Sequence, residues 1–115
     1  MRLVRTAGRY LRGAIFGTLF SAALAEGEAR SFVDAYTARF GAAPDAFAAY
    51  AHDAFMLIRR GVLGGRITRT DMTSYLPTTT GASTLGASGG LGTGRHPARA
   101  LRLVTLSGET FTPIR

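Results

Sequence analysis

Residues 78–94 carry Gly, Ser or Thr at thirteen of seventeen positions, and a stretch so poor in bulky side chains reads as loop because it cannot pack a core. Ordered structure is thereby confined to what precedes this segment and to a short tail, 95–115, that follows it. With 115 residues and a mean hydropathy of +0.12, the chain fits a single globular domain. A chain of this size folding alone buries roughly two thirds of its extended surface. Yet 19 Ala and 15 Gly leave few large side chains to fill an interior. The placement of those few therefore decides the fold.

Residues 26–77 read as helical. Phe32, Tyr36 and Phe40 recur every fourth residue, Val33 widens the stripe, and Gly41 closes the helix. Asp45, after Pro44, is placed to cap a second helix whose apolar stripe is Phe47, Tyr50, Ala51, Ala54, Phe55 and Ile58. Arg59 and Arg60 fall in its last turn and Gly61 ends it. A short third helix is expected from Asp71 to about Leu76, stopped by Pro77. Beyond the Gly/Ser/Thr-rich loop, Leu101–Leu106, a Ser107-Gly108-Glu109 turn and Thr110–Ile114 read as a β-hairpin, with Pro113 confining the last strand to an edge.

Residues 1–25 admit two readings. A charged leader, an apolar stretch from Gly13 to Ala25 and a small-residue Ala23-Leu24-Ala25 site describe a secretory signal peptide. Alternatively, residues 13–20 form a buried strand, with Ala14, Ile15, Phe16, Leu19 and Phe20 supplying apolar mass to Ala-rich helices. A transmembrane helix is excluded there, since thirteen apolar residues fall short of the roughly twenty that span a bilayer.

All fourteen basic residues are Arg, and the formal net charge is +7. The excess sits at the two ends, because residues 26–71 carry six Arg against six acids. Nucleic-acid binding is not expected of charge so divided, which lacks a basic element interleaved with aromatics. Catalysis has no support either. There is no cysteine for a thiolate or a zinc site, and His52 and His96 lie 44 residues apart with no third ligand at metal spacing. His52 and Asp53 are neighbours on a helix and so point in different directions; a surface or helix-end pair is the expectation. The glycines of Gly89–Arg95 imitate a phosphate loop, but His96-Pro97 follows in place of a helix and the chain contains no Lys. No nucleophile-elbow motif is present. No cofactor and no metal are expected.

The order of segments resembles the C-terminal part of the type I periplasmic substrate-binding proteins, the branched-chain amino-acid (Leu/Ile/Val) receptor family of ABC importers. The matching residues begin with Gly13-Ala14-Ile15-Phe16 and Phe20, followed by Phe32-Val33-x-x-Tyr36-x-x-x-Phe40-Gly41-x-x-Pro44 and Ala49-Tyr50-Ala51-His52-Asp53-Ala54. Gly86-Ala87-Ser88-Gly89, at a G-x-x-G turn, and the terminal hairpin complete the likeness. His52 stands where the family has Tyr before Asp-Ala, and the glycine-rich Gly90–Gly94 stands where it has a strand.

The resemblance implies an α/β fold, a fragment of a bilobal receptor with one strand, two to three helices and a C-terminal hairpin. It also favours the strand over the signal peptide for residues 8–20. Ligand recognition for import follows from it, outside the cytoplasm, in the bacterial envelope. The partners are an amino-acid-like solute and the membrane permease of an importer. Periplasmic activators of peptidoglycan synthases resemble the same family and keep a second role open; a small secreted basic protein that binds an acidic surface is a third. By position in the family, Phe47 and Tyr50 approach the ligand cleft, as an apolar wall with a phenol donor. Both also lie on the helix's apolar stripe, so core packing is the competing expectation.

Overall fold

The computed structural model describes residues 10–11, 13–79, 101–107 and 110–114. Residues 1–9 and Arg12 of the charged leader Met1–Arg12, most of the Gly/Ser/Thr-rich stretch, Gly86–Gly89, the Gly89–Arg95 run, His96 and the centre of the hairpin turn lie outside the described residues. In chain order the elements are strand β1 (Ile15–Thr18), a 3-10 turn (Ala22–Leu24), helices α1 (Gly27–Phe40), α2 (Ala46–Leu63) and α3 (Arg69–Tyr75), a second 3-10 turn (Leu76–Thr78), and strands β2 (Arg102–Ser107) and β3 (Thr110–Pro113).

The helix boundaries follow from local chemistry. Gly41 takes the left-handed conformation, φ 72°, which strains any residue with a Cβ, and its N–H donates to the Thr37 carbonyl as a C-cap. Asp45 caps α2 by accepting from the Ala48 N–H at 2.8 Å. Thr68 and Asp71 form a reciprocal capping box at the start of α3: the Thr68 hydroxyl accepts from the Asp71 N–H at 3.1 Å, and the Asp71 carboxylate accepts from the Thr68 N–H. Asp71 is thus the third residue of α3, and the helix starts two residues before the sequence pattern places it. Pro77 falls in the 3-10 turn that follows.

Gly61 does not end α2, which runs on to Leu63 and is capped at Gly64. Its backbone is buried against α3 instead. A Cβ at this position would lie 2.8 Å from Met72 Sδ and 3.0 Å from the Tyr75 ring. The glycine permits two helices to approach, a function that looks the same in sequence as a stop.

β2 lies between β1 and β3, antiparallel to both. Phe16 is opposite Val104 and Leu106 opposite Phe111, so these four share one face, where Val104 and Leu106 are buried and the Phe16 and Phe111 rings meet edge to face at 5.4 Å. Ile15, Leu103 and Ile114 occupy the opposite face and are exposed. Gly17 lies opposite Leu103, and the Leu101 side chain rests against it where a Cβ would stand 3.1 Å away. The expectation of a strand buried throughout residues 13–20 is corrected: a four-residue strand on a sheet with one open face alternates, and Ile15 is 64% exposed. Pro113 sits on β3, an edge strand, where its missing N–H removes no needed ladder bond.

The helical core is Phe20, Val33 and Ala49, with Phe32, Ala46, Tyr50, Ala22 and Ala25 packed around it. Phe20 is fixed by its own turn: its N–H donates to Thr18 Oγ1 at 3.2 Å, and that hydroxyl donates to the Phe20 carbonyl at 2.7 Å. Of the α2 stripe expected from the sequence, Tyr50 alone packs against this core. Phe47, Ala51, Ala54, Phe55 and Ile58 are exposed. The buried face of α2 runs instead through Ala46, Ala49, Tyr50 and Asp53. The small Ala49 side chain is wholly enclosed beside Phe20 and Val33, whereas the bulkier stripe is left uncovered by the described residues.

Candidate functional site

Phe47 and Tyr50 sit one turn apart at the start of α2, where the Asp45 cap sets the helix direction. Their rings meet edge to face, centroids 6.2 Å apart at 82°. The two have different surroundings. Tyr50 is half-buried against Phe20, Val33 and Ala49, while Phe47 is 78% exposed. Core packing, the competing expectation for both, therefore describes Tyr50 and fails for Phe47. What the pair presents is a rigid aromatic corner: one ring anchored, the other open on its outer side.

His52 and Asp53 depart from the surface pair expected of them. Asp53 is buried in the middle of α2, with His52 Nδ1 3.8 Å from its carboxylate. The His52 ring packs on Phe32 at 4.5 Å between centroids, and its Nδ1 is enclosed without a hydrogen-bond partner. Phe32 continues into a ladder along α1, to Tyr36 at 5.8 Å and from Tyr36 to Phe40 at 4.5 Å. His52 thus joins the aromatic packing between the two helices, which holds the α2 corner against α1. Among the described residues, no group of His, Cys, Asp or Glu has the arrangement to hold a metal ion.

A separate shallow groove of about 360 Å³ lies between the first 3-10 turn and the sheet, lined by Leu24, Glu26, Arg102, Leu103, Pro113 and Ile114 among others. Arg102 donates to the Leu24 carbonyl at 3.1 Å across it. The structure does not bring Phe47 or Tyr50 to this groove. Arg102 escaped the sequence reading because its partner lies 78 residues away, and no local pattern encodes so distant a pairing.

Among the described residues, three helices and a small antiparallel sheet make an α/β mix. Over nearly its whole length the chain has the fold of part of a type I periplasmic binding protein. It is similar to a leucine-binding protein from Thermotoga maritima, at 18% identity and a TM-score of 0.82, covering 99% of this chain and 33% of that one. It is also similar to the solute-binding protein of an R. palustris ABC transporter, solved in complex with benzoate, at 22% identity and a TM-score of 0.78, covering 97% of this chain and 32% of that one. The chain spans about a third of the length of these structures. Such neighbours are binding proteins. No family model and no curated protein matches the sequence. Among the described residues no helix is long and apolar enough to cross a membrane.

Proposed function

We propose that the chain contributes part of a solute-recognition site in an ABC-import system, outside the cytoplasm, with no catalytic step. The observation that carries this reading is the correspondence of 99% of the chain to a leucine-binding protein at a TM-score of 0.82. The solute is a small amino-acid-like molecule with an apolar side chain. Phe47 supplies an apolar wall, and Tyr50, held by the core on one side, orients that wall and offers its phenol as a polar contact. A ligand gains affinity when a second wall encloses it, since good sites bury some 70–90% of a ligand's surface. The remaining two thirds of a receptor of this kind would supply that wall and, with it, the surface read by a membrane permease. Support for the wall comes from Phe47 itself, a large apolar ring exposed on a rigid helix end without a packing role to explain it.

The experiment is a chimera in which residues 13–63 replace the matching stretch of the Thermotoga leucine-binding protein, with leucine affinity read by calorimetry. Phe47→Ala should weaken binding at least about tenfold, or ~1.4 kcal/mol. A folded chimera whose leucine affinity is the same before and after the Phe47→Ala change refutes the assignment.

A further inference from the structure

Residues 13–25 carry two patterns at once. Their apolar run and the Ala23-Leu24-Ala25 ending are those of a secretory leader that is cut off after Ala25, yet the same residues form β1 and the first 3-10 turn. The consequences exclude each other: a leader leaves the protein, whereas an element of the core has to stay.

We propose that residues 13–25 are retained in the mature protein, as the piece that ties its sheet to its helices. Phe16 and Phe20, one on each side of Thr18, are anchored in different layers. Phe16 is half-buried on the sheet, opposite Val104 of β2, with its ring edge to face on Phe111 of β3. Phe20 is buried among the helices with Val33 of α1 and Ala49 of α2. The Thr18 hydroxyl, bonded to both the N–H and the carbonyl of Phe20, fixes the turn between the two anchors. Beyond Phe20 the tie is repeated, since Ala22 and Ala25 pack on the helical core while the Leu24 carbonyl accepts from Arg102 of β2 at 3.1 Å. At the other end of the segment the Ala14 carbonyl accepts from Thr105 Oγ1, also on β2, at 3.2 Å. The segment is thus held at Ala14 and at Leu24 by partners about 80–90 residues away in the chain. A tie of this kind needs large apolar residues at its anchors and small ones where its turn lies against the helices. An apolar leader followed by a small-residue cleavage site has the same order, so packing alone accounts for the leader-like pattern.

Removal at Ala25 would strip both layers. Of the described strands only β2 and β3 would remain, and a lone two-stranded hairpin is at best marginally stable in water. The helical core would lose Phe20, the bulkiest of its three buried members, and keep Val33 and Ala49. The inference does not depend on the solute reading, because Phe47 and Tyr50 lie outside the segment.

Intact mass spectrometry of the full chain produced in a bacterium, on cytosolic and envelope fractions alike, should find residues 13–25 in every species. Residues 26–115 are the product that leader removal would leave. In urea, followed by circular dichroism, the full chain should unfold cooperatively, and residues 26–115 should show no cooperative transition. A species beginning at Glu26, a cooperative transition in residues 26–115, or its absence from the full chain would each overturn the proposal.

Discussion

Phe20 and Phe47 provide a direct comparison, because the same substitution at each asks which phenylalanine is structural. Phe20 is 8% exposed, lies at the centre of the Val33–Ala49 cluster and meets the Phe32 ring at 6.3 Å and 67°. Truncating a buried Phe costs about 3–5 kcal/mol, through lost transfer energy and the cavity left behind. Loss of the edge contact with Phe32 belongs within that range. Phe47, at 78% exposed, has about a fifth of its surface covered. Full burial of a Phe side chain is worth about 1.5–3 kcal/mol, so the covered part contributes roughly 0.5 kcal/mol. Phe20→Ala should therefore destabilise by about 3 kcal/mol or more, and Phe47→Ala by roughly 0.5 kcal/mol or less. Urea unfolding followed by far-ultraviolet circular dichroism, at protein concentrations low enough to keep association out of the transition, measures both. Since small domains are stable by about 5–15 kcal/mol in total, Phe20→Leu provides a milder variant should Phe20→Ala not fold. Equal losses at the two positions would refute the burial assignment, and with it the conclusion that α2 turns its sequence-evident stripe outward.

Two further substitutions probe the helix junctions. Asp45→Ala removes the acceptor for the Ala48 N–H and should cost about 1 kcal/mol, seen as a lower urea midpoint, with Asp45→Asn recovering most of it. Gly61→Leu should destabilise by at least about 1–3 kcal/mol through overpacking against Met72 and Tyr75, despite its better helix propensity. A Gly61→Leu chain as stable as the parent would show that α2 and α3 are not in close contact there.

The presence of three helices and the caps at Gly41 and Asp45 were legible in the residues, because each depends on interactions within a few positions, and Pro113 forbade a central strand by lacking an N–H. Phe32, Tyr36 and Phe40 stack as their four-residue spacing requires, whatever else packs on them. The resemblance carried by the same segments supplied the fold class, to which the solved neighbours correspond. The choice of buried face belonged to the tertiary structure. On α2 the larger apolar stripe predicts burial by hydrophobicity, yet the enclosed residues are Ala49, Asp53 and Gly61, the last because Met72 and Tyr75 of α3 approach too closely for a side chain. Gly61 illustrates the limit: as a helix stop and as a contact point it is the same letter, and only the arrival of Met72 and Tyr75 distinguishes them. The candidate site divides in the same way. Phe47 and Tyr50 were legible as an aromatic pair from their spacing, but that one is anchored and the other open was decided by the cluster of Phe20, Val33 and Ala49 against which Tyr50 packs, two of whose members come from earlier parts of the chain.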